Sequence, residues 1–363
     1  MMAAMGALTI GFDVTSTIVG ATGVARYVRE VGEGLEALPD PPVLRRFAVG
    51  RATVAGAEDV EAVRLRVPLR LVARSWGWGG PPSVERLVGP VDSVHAAGPV
   101  LPTTRRPVVA VVHDLAALDH PELHPPRDVS QIRRYVAGLR HVAAVVTGSQ
   151  ATADRLAERA PGLPVHVTPW GRSPLAAPEA PPLAGRPYVL VVGAPVPRKG
   201  YDLLLRAVAR LGTDDLAVAI VGPAGSEDER LAQVAAEVGL TDRVHRAHDV
   251  TDAELAGWYA GATVLAAPSI EEGFSFPVVE AQGLGVPVVI SDIPVHREVA
   301  GSAAAFVSVG DIDELAQALE AAVAGGGDVD RSVELGRASA ARFTWAACAA
   351  ATAAVHREVV RSA

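Results

Sequence analysis

Short runs of valine, isoleucine and leucine, apolar at nearly every position, recur along this chain with amphipathic helical patterns between them. "ALTIGFDV", "VVAVVHDL", "AAVVTGS" and "PVHVTPW" stand in the first half, and "YVLVVGA", "AVAIVGP", "ATVLAAPS" and "PVVISD" in the second. A strand that is apolar throughout, instead of on alternate residues, is covered on both faces, as in a parallel sheet flanked by helices. The intervening segments, among them "VARYVREVGEGLEAL", "YDLLLRAVARL", "DERLAQVAAEVG" and "DAELAGWYAG", carry the helical period. Strand and helix in two batches predict an α/β chain with two doubly wound parallel sheets.

The proline-dense, aperiodic stretch "SPLAAPEAPPLAGRP" separates the batches and reads as a linker. The expected organisation is a first domain over residues 1–172, the linker over 173–187, a second domain over 188–345 and a C-terminal helix over 346–363 that packs back on the first domain. At 363 residues there is chain enough for two buried cores. Sheets of this kind bind ligands outside the C-terminal ends of their strands, so the two domains are expected to face a central cleft.

Several function classes drop out. The first strand leads into "GFDVTSTIVGATGVARY", without a G-x-G-x-x-G, and no G-x-x-x-x-G-K-[ST] occurs, which disfavours nicotinamide dehydrogenases and P-loop NTPases. Cys348 is the single cysteine, so no disulfide framework forms, a zinc cluster is disfavoured, and a reducing cytoplasm is the expected compartment. No basic leader and no run of about 18 apolar residues is present, so no signal peptide or membrane span is expected. The net charge of −8 divides as +3 over residues 1–172 and −11 over the rest, with no basic stripe of the kind that binds nucleic acid.

The segment "PSIEEGFSFPVVEAQGLGVPVVISD" is the most informative. A strand ends at Pro268, a loop follows, and a helix opens with Pro277 in its first turn, where a missing N–H costs nothing. Gly283 and Gly285 end that helix. Its first amides, near Gly273, Phe274, Ser275 and Phe276, look out of the sheet's C-terminal edge and attract an anion such as phosphate. Glu272 and Glu280 flank that position. Carboxylates beside an anion site make sense when they accept hydrogen bonds from hydroxyls on either side of it. A nucleotide sugar has that form: sugar hydroxyls, a diphosphate, ribose hydroxyls. Lys199, the one lysine among 33 basic residues, follows Arg198 in a loop after another strand. Two adjacent cations there can neutralise a diphosphate, the ammonium as a point charge and the guanidinium as a planar fork.

In these residues, together with "GLTDRVHRAHDVTDAELAGWYAGATVLAAPS" and "GLGVPVVISD", the second half resembles the retaining glycosyltransferases of family 4, which have the GT-B fold of two Rossmann-like domains. In the first half "FDVTSTIVGATGVARYVREV", "VDSVHAAGPVLPTTRRPVVAVVHDLAALDHPE" and "VVTGSQATADRL" are similar to the family's first strand, glycine loop and helix, its central segment, and the strand and helix after it. The resemblance implies that Glu272 contacts the donor sugar and Glu280 the ribose, while Lys199 and Arg198 hold the diphosphate. Gly23 would let backbone approach the donor, His113 would face the sugar with Asp114 supporting it, and Val250 would pack on the base. Many members carry arginine where this chain has Ala194, and Arg198 would supply that charge instead.

The implied activity moves a hexosyl group, mannosyl- or glucosyl-like, from a nucleotide-diphosphate sugar to an acceptor hydroxyl with retention, without metal or other cofactor, in polysaccharide or glycoconjugate synthesis. A non-transferring sugar-nucleotide-binding protein and a GT-B-like epimerase are the alternatives. The triplets Asp311-Ile-Asp313 and Asp328-Val-Asp330 sit where helices begin, and capping explains them. The acceptor, a saccharide, lipid-linked or small molecule, is not legible. "RLRVPLRLVARSWGW", residues 64–78, has two readings: a helix that buries its apolar side and solvates its arginines, or a peripheral contact with an anionic membrane surface.

Overall fold

A computed structural model describes residues 7–18, 22–51, 61–173, 176–180, 183, 185–213 and 215–363. The start of the chain, residues 19–21 of the glycine loop and parts of the proline-dense stretch lie outside the described residues. The chain forms two compact units, Met1–Gly171 with Thr344–Ala363, and Arg172–Phe343.

In the first unit the described residues form seven strands: β1 Thr9–Asp13, β2 Val43–Val49, β3 Val63–Leu65, β4 Ser93–Ala96, β5 Val108–Val112, β6 Ala144–Thr147 and β7 Val165–Val167. They pair in parallel in the order β3-β2-β1-β4-β5-β6-β7. Strand order reverses between β1 and β4, which makes that the switch point where such sheets bind ligands. Every residue of β4, β5 and β6 is buried, as an all-apolar pattern predicts for β5. β2 carries Arg45 and Arg46 in its middle, and so has no apolar run to betray it. Arg45 Nη1 donates to the Val88 carbonyl at 2.8 Å, and Arg46 pairs with Glu36 at 2.8 Å, so both guanidinium groups have partners and only the second meets an opposite charge.

The helix Gly23–Glu36 starts on Thr22, whose hydroxyl accepts from the Ala25 amide and supplies one of the orphan N–H partners. It buries Tyr27, Val28, Val31 and Leu35. The C-terminal helix, Trp345–Arg361, belongs to this same unit and packs along it. The alanine-rich sequence allows a close approach: a β-carbon on Gly34 would lie 2.8 Å from Ala349 Cβ. A buried polar chain then ties three elements together. Ser93 Oγ contacts His356 Nδ1 at 2.8 Å, His356 Nε2 contacts His95 Nδ1 at 3.2 Å, and His95 Nε2 contacts the Tyr27 hydroxyl at 3.3 Å.

Residues 64–78 run from β3 into the helix Leu69–Trp76. Val72 and Trp76 are buried, Trp76 edge-on to Phe47, whereas Arg66, Arg70, Leu71, Arg74 and Trp78 are exposed.

In the second unit the described residues form six strands: β8 Tyr188–Val192, β9 Ala217–Val221, β10 Val244–Ala247, β11 Val264–Ala267, β12 Val288–Ser291 and β13 Ala305–Val307. They too are parallel, in the order β10-β9-β8-β11-β12-β13, with the switch point between β8 and β11. Val189, Val191, Leu204, Val218, Ile220 and Val264 lie at the centre of its core. The proline-dense stretch falls inside this unit: the Glu179 amide donates to the Ala253 carbonyl at 3.2 Å, and Gly257 leaves room for Glu179 that a side chain would take. Asp311 caps the helix Ile312–Ala324 by accepting from the Glu314 amide at 2.9 Å, and Asp313 pairs with Arg210 at 2.7 Å. Asp328 and Asp330 lie in the first turn of the helix Gly327–Ala340.

Candidate functional site

The loops after β8 and β11 leave the second sheet on either side of its switch point, and they are stitched to one another. The Ile270 amide donates to the Arg198 carbonyl at 2.8 Å, and Arg198 Nη1 donates to the Glu271 carbonyl at 2.9 Å. Gly193, at φ 130°, lets the chain leave β8 beneath the Lys199 stem. Gly200, at φ 64°, starts the helix Tyr201–Ala209 in a conformation that favours glycine.

Within that frame Glu272 gathers the charges. Its Oε1 accepts from Lys199 Nζ at 2.5 Å and from Ser269 Oγ at 2.8 Å, and its Oε2 accepts from Arg198 Nη1 at 3.1 Å. Glu272 is 6% exposed. Burial by itself would raise its carboxyl, but the Lys199 ammonium and the Arg198 guanidinium outweigh that and hold it well below the usual carboxylate range. The three side chains together carry a formal charge of +1, concentrated where the two strands end. A small cavity beside them is lined by Lys199, Tyr201, Ser269, Glu272, Ser275 and Pro277, among others.

The helix Phe276–Leu284 enters this site at its N-terminus, with Pro277 in the first turn. Gly283 stays within it, and Gly285, at φ 78°, ends it. Its N-cap residue, Ser275, adopts a left-handed conformation at φ 72°, unusual for a residue with a β-carbon, and makes no side-chain bond to its own helix. Its hydroxyl instead meets Nε2 of the buried His296 at 3.3 Å.

Arg198, Lys199, Glu272 and Ser275, all expected from sequence, thus come together. Gly273 is buried in the same loop. The Phe274 ring turns into the core against Phe276 and Phe343, with centroids 5.2 and 5.4 Å away, so any part it plays in binding falls to its backbone. Glu280 is buried one turn into the helix and accepts from the Tyr259 hydroxyl at 2.7 Å. Val250 is half-buried in the turn after β10, between Asp249 at φ 50° and the N-cap Thr251. Ser269, Tyr259 and His296 were not singled out by sequence. A serine, a tyrosine or a helical histidine on a buried face carries no local mark of the group it will meet.

In the first unit, His113 follows β5, and its Nε2–H donates to the Ala97 carbonyl at 2.8 Å. Its ring stands edge-on to Tyr27, 5.2 Å between centroids. Burial holds its pKa below the usual histidine value, against the opposing pull of that carbonyl and of Asp114. Asp114 accepts from the Ala116 amide at 3.1 Å and opens the next helical turn. Gly23 is exposed at the first position of its helix.

Two parallel, switch-point sheets with a cation pair at one switch point define the class. The family described as Glycosyltransferase Family 4 matches residues 21–174, and Glycosyl transferases group 1 matches residues 177–339. The chain belongs to the family 4 glycosyltransferases, with the GT-B fold. It is 33% identical over 232 residues to the MMP alpha-(1->4)-mannosyltransferase of Mycolicibacterium hassiacum, covering 61% of this chain and 55% of that protein. The chain spans about half the length of the curated relatives it matches. Among solved structures, sucrose-phosphate synthase from Thermosynechococcus elongatus superposes with a TM-score of 0.79 at 20% identity, covering 98% of this chain and all of that one. Anabaena HepE in complex with UDP-glucose gives 0.67 at 17% identity, covering 98% and 99%. At these identities the likeness establishes the fold.

Proposed function

We propose that this chain transfers a hexosyl group, mannosyl- or glucosyl-like, from a nucleotide-diphosphate sugar to an acceptor hydroxyl with retention and without a metal. The observation that carries the reading is the convergence of Lys199 and Arg198 on Glu272 across the β8–β11 switch point. The mannosyltransferase relative and the UDP-glucose complex of a protein of the same fold support the choice of donor.

Lys199 and Arg198 face the diphosphate; each charge-assisted hydrogen bond contributes about 1.5–3 kcal/mol. The amides at the start of the helix Phe276–Leu284 add their partial positive charge. Glu272 keeps both cations in place and accepts from a sugar hydroxyl, Glu280 from the ribose, and Val250 packs on the base. His113 and Gly23 of the first unit serve the reacting sugar. The anomeric C–O bond breaks with its electron pair passing to the diphosphate, the acceptor oxygen bonds to the anomeric carbon, and the acceptor's proton passes to the leaving phosphate oxygen. Donors fixed around the diphosphate stabilise the charge that develops there.

The test is a panel of UDP-glucose, GDP-mannose and their relatives, with and without candidate acceptors and with a chelator present. Acceptor-dependent release of nucleoside diphosphate, and a product whose anomeric proton matches that of the donor, is the expected result. Release that ignores the acceptor, or a donor merely isomerised, would favour the binding protein or the epimerase. Lys199→Ala and Glu272→Gln are expected to lower transfer by orders of magnitude with an unchanged circular dichroism spectrum, and near-normal turnover in both would remove the site assignment.

For residues 64–78 the exposed Trp78 (87%) and Leu71 (55%), beside exposed Arg66, Arg70 and Arg74, favour peripheral contact with an anionic membrane at the cytoplasmic face. Among the described residues no helix is long and apolar enough to cross a membrane. Flotation with phosphatidylglycerol vesicles but not with phosphatidylcholine vesicles, abolished in a Trp78→Ala, Arg74→Glu variant, is the outcome expected. Equal recovery from both vesicle types rejects it.

A further inference from the structure

His296 lies in the helix Pro294–Ala300, just after β12, and is fully buried. Its Nδ1 stands 2.8 Å from the Ser291 carbonyl. A carbonyl oxygen only accepts, so Nδ1 carries the ring proton and Nε2 of the neutral ring is an acceptor. The Ser275 hydroxyl, 3.3 Å from Nε2, is therefore the donor. The charged groups that face the ring are the Glu272 carboxylate and the Lys199 ammonium, while Arg297 on its own helix is exposed and paired with Asp292 at 2.6 Å. Burial favours the neutral ring, with Glu272 pulling the other way.

The direction of that hydrogen bond decides what Ser275 can offer to the cavity it lines. A hydroxyl has one proton and two lone pairs. With its one hydrogen engaged in the bond to His296, Ser275 is left as an acceptor. Ser269, on the same cavity wall, likewise donates its hydrogen to Glu272 Oε1. Two hydroxyl oxygens and a carboxylate thus form an acceptor surface beside the Lys199 and Arg198 cations. A phosphate oxygen at neutral pH brings no proton to such a surface, whereas a sugar hydroxyl does.

From this geometry we infer that His296 is a positioning residue that holds the Ser275 hydroxyl in acceptor orientation, and that Ser275 thereby recognises a hydroxyl of the donor sugar and not its diphosphate. This rests on the nucleotide-sugar reading of the site given above.

The experiment separates sugar from diphosphate. Calorimetric titration of the full chain with UDP-glucose, UDP, GDP-mannose and GDP compares wild type with Ser275→Ala, His296→Phe, the double variant, and His296→Gln, whose amide oxygen can accept from Ser275. For whichever nucleotide sugar the wild type binds, Ser275→Ala and His296→Phe are expected to weaken binding about tenfold while the bare nucleoside diphosphate changes less than about twofold. The double variant should be no weaker than Ser275→Ala, and His296→Gln should restore most of the loss. Equal weakening of nucleotide sugar and nucleoside diphosphate would show His296 to be a support for the loop and nothing more, and overturn the inference. So would unchanged nucleotide-sugar affinity in Ser275→Ala, which decides the matter even if His296→Phe fails to fold. A wild type that binds none of the four ligands defeats the donor reading itself, a result distinct from both.

Discussion

Gly200 packs directly on the carbonyl of Pro268, so closely that a β-carbon on Gly200 would overlap that oxygen. The contact joins the end of the Arg198-Lys199 loop to the end of β11, and so sets the distance from Lys199 to Glu272. Gly200 also stands at φ 64°. Gly200→Ala therefore meets a clash and a disfavoured backbone conformation together. We expect a loss of about 2 kcal/mol in urea-induced unfolding. Nucleotide-sugar affinity should fall as well, because the cations are displaced from the carboxylate. A stability within about 0.5 kcal/mol of wild type would show that the loop relaxes freely.

Lys199 lies 2.5 Å from one oxygen of Glu272 and Arg198 lies 3.1 Å from the other. A compact ammonium fits that division and a second guanidinium does not. Lys199→Arg keeps the charge, yet kcat/KM is expected to drop by at least about tenfold, since two planar forks must compete for one buried carboxylate. Full activity in this variant would reduce the role of Lys199 to charge alone.

The Ser93–His356–His95–Tyr27 chain makes stability depend on pH. Burial depresses both histidines, His356 to about 3 and His95 well below the ordinary value, the latter helped by its histidine neighbours. In the unfolded chain they titrate near 6.5, so below that pH the unfolded state binds more protons than the folded one. Their contribution is complete above about pH 6.5 and is lost as pH falls toward the folded values, by about 2 kcal/mol at pH 5 for His356, with His95 acting in the same direction. Urea midpoints measured from pH 8 to 5 should trace that decline. His356→Leu should make it shallower, His95, His113 and His296 still contributing, even though the variant starts less stable at pH 8. An unaltered slope in the variant would place the proton uptake elsewhere.

Glu280 is almost fully enclosed, and the Tyr259 hydroxyl donates to it at 2.7 Å. Tyr259→Phe removes a donor from a buried carboxyl, and about 1.5–3 kcal/mol of stability is expected to go with it. If Glu280 holds the ribose, UDP or GDP affinity should fall in parallel, measured by calorimetry at a temperature where the variant stays folded. Unchanged affinity would dissociate Glu280 from the nucleoside.

Much of this architecture was legible in the sequence because it rests on local patterns. β5, β8, β9 and β11 announce themselves as unbroken apolar runs, and the helix Asp252–Gly261 coincides with the segment read as helical, although it buries the consecutive residues Leu255 to Tyr259 and so has no single apolar face. The strands that escaped notice have short, polar or charged sequences: β2 holds two arginines, β4 reads Ser-Val-His-Ala, β10 reads Val-His-Arg-Ala, and β3 and β13 are three residues long. β3, β10 and β13 are edge strands with at most one buried residue, and their places come from pairing with a neighbouring strand and not from an apolar run of their own. At the site, the Glu-Gly-Phe-Ser-Phe-Pro loop and the lone lysine marked the place, but not the partners. The Phe274 ring turns into the core, where Phe343, far along the chain, packs against it.

By itself, then, the sequence determined where the apolar central strands and many of the helices form, that those strands lie in covered parallel sheets, and which loops carry charge at the strand ends, since each follows from the polarity of residues a few positions apart. Only the tertiary structure decided that Glu272 joins Lys199 to Arg198, that His296 accepts a hydrogen bond from Ser275, and that His356 closes a polar chain with Ser93, 263 positions earlier. Such pairs form when separate elements pack, and the free energy that selects them belongs to the shared interior, where a buried polar group must find a partner wherever in the chain that partner lies.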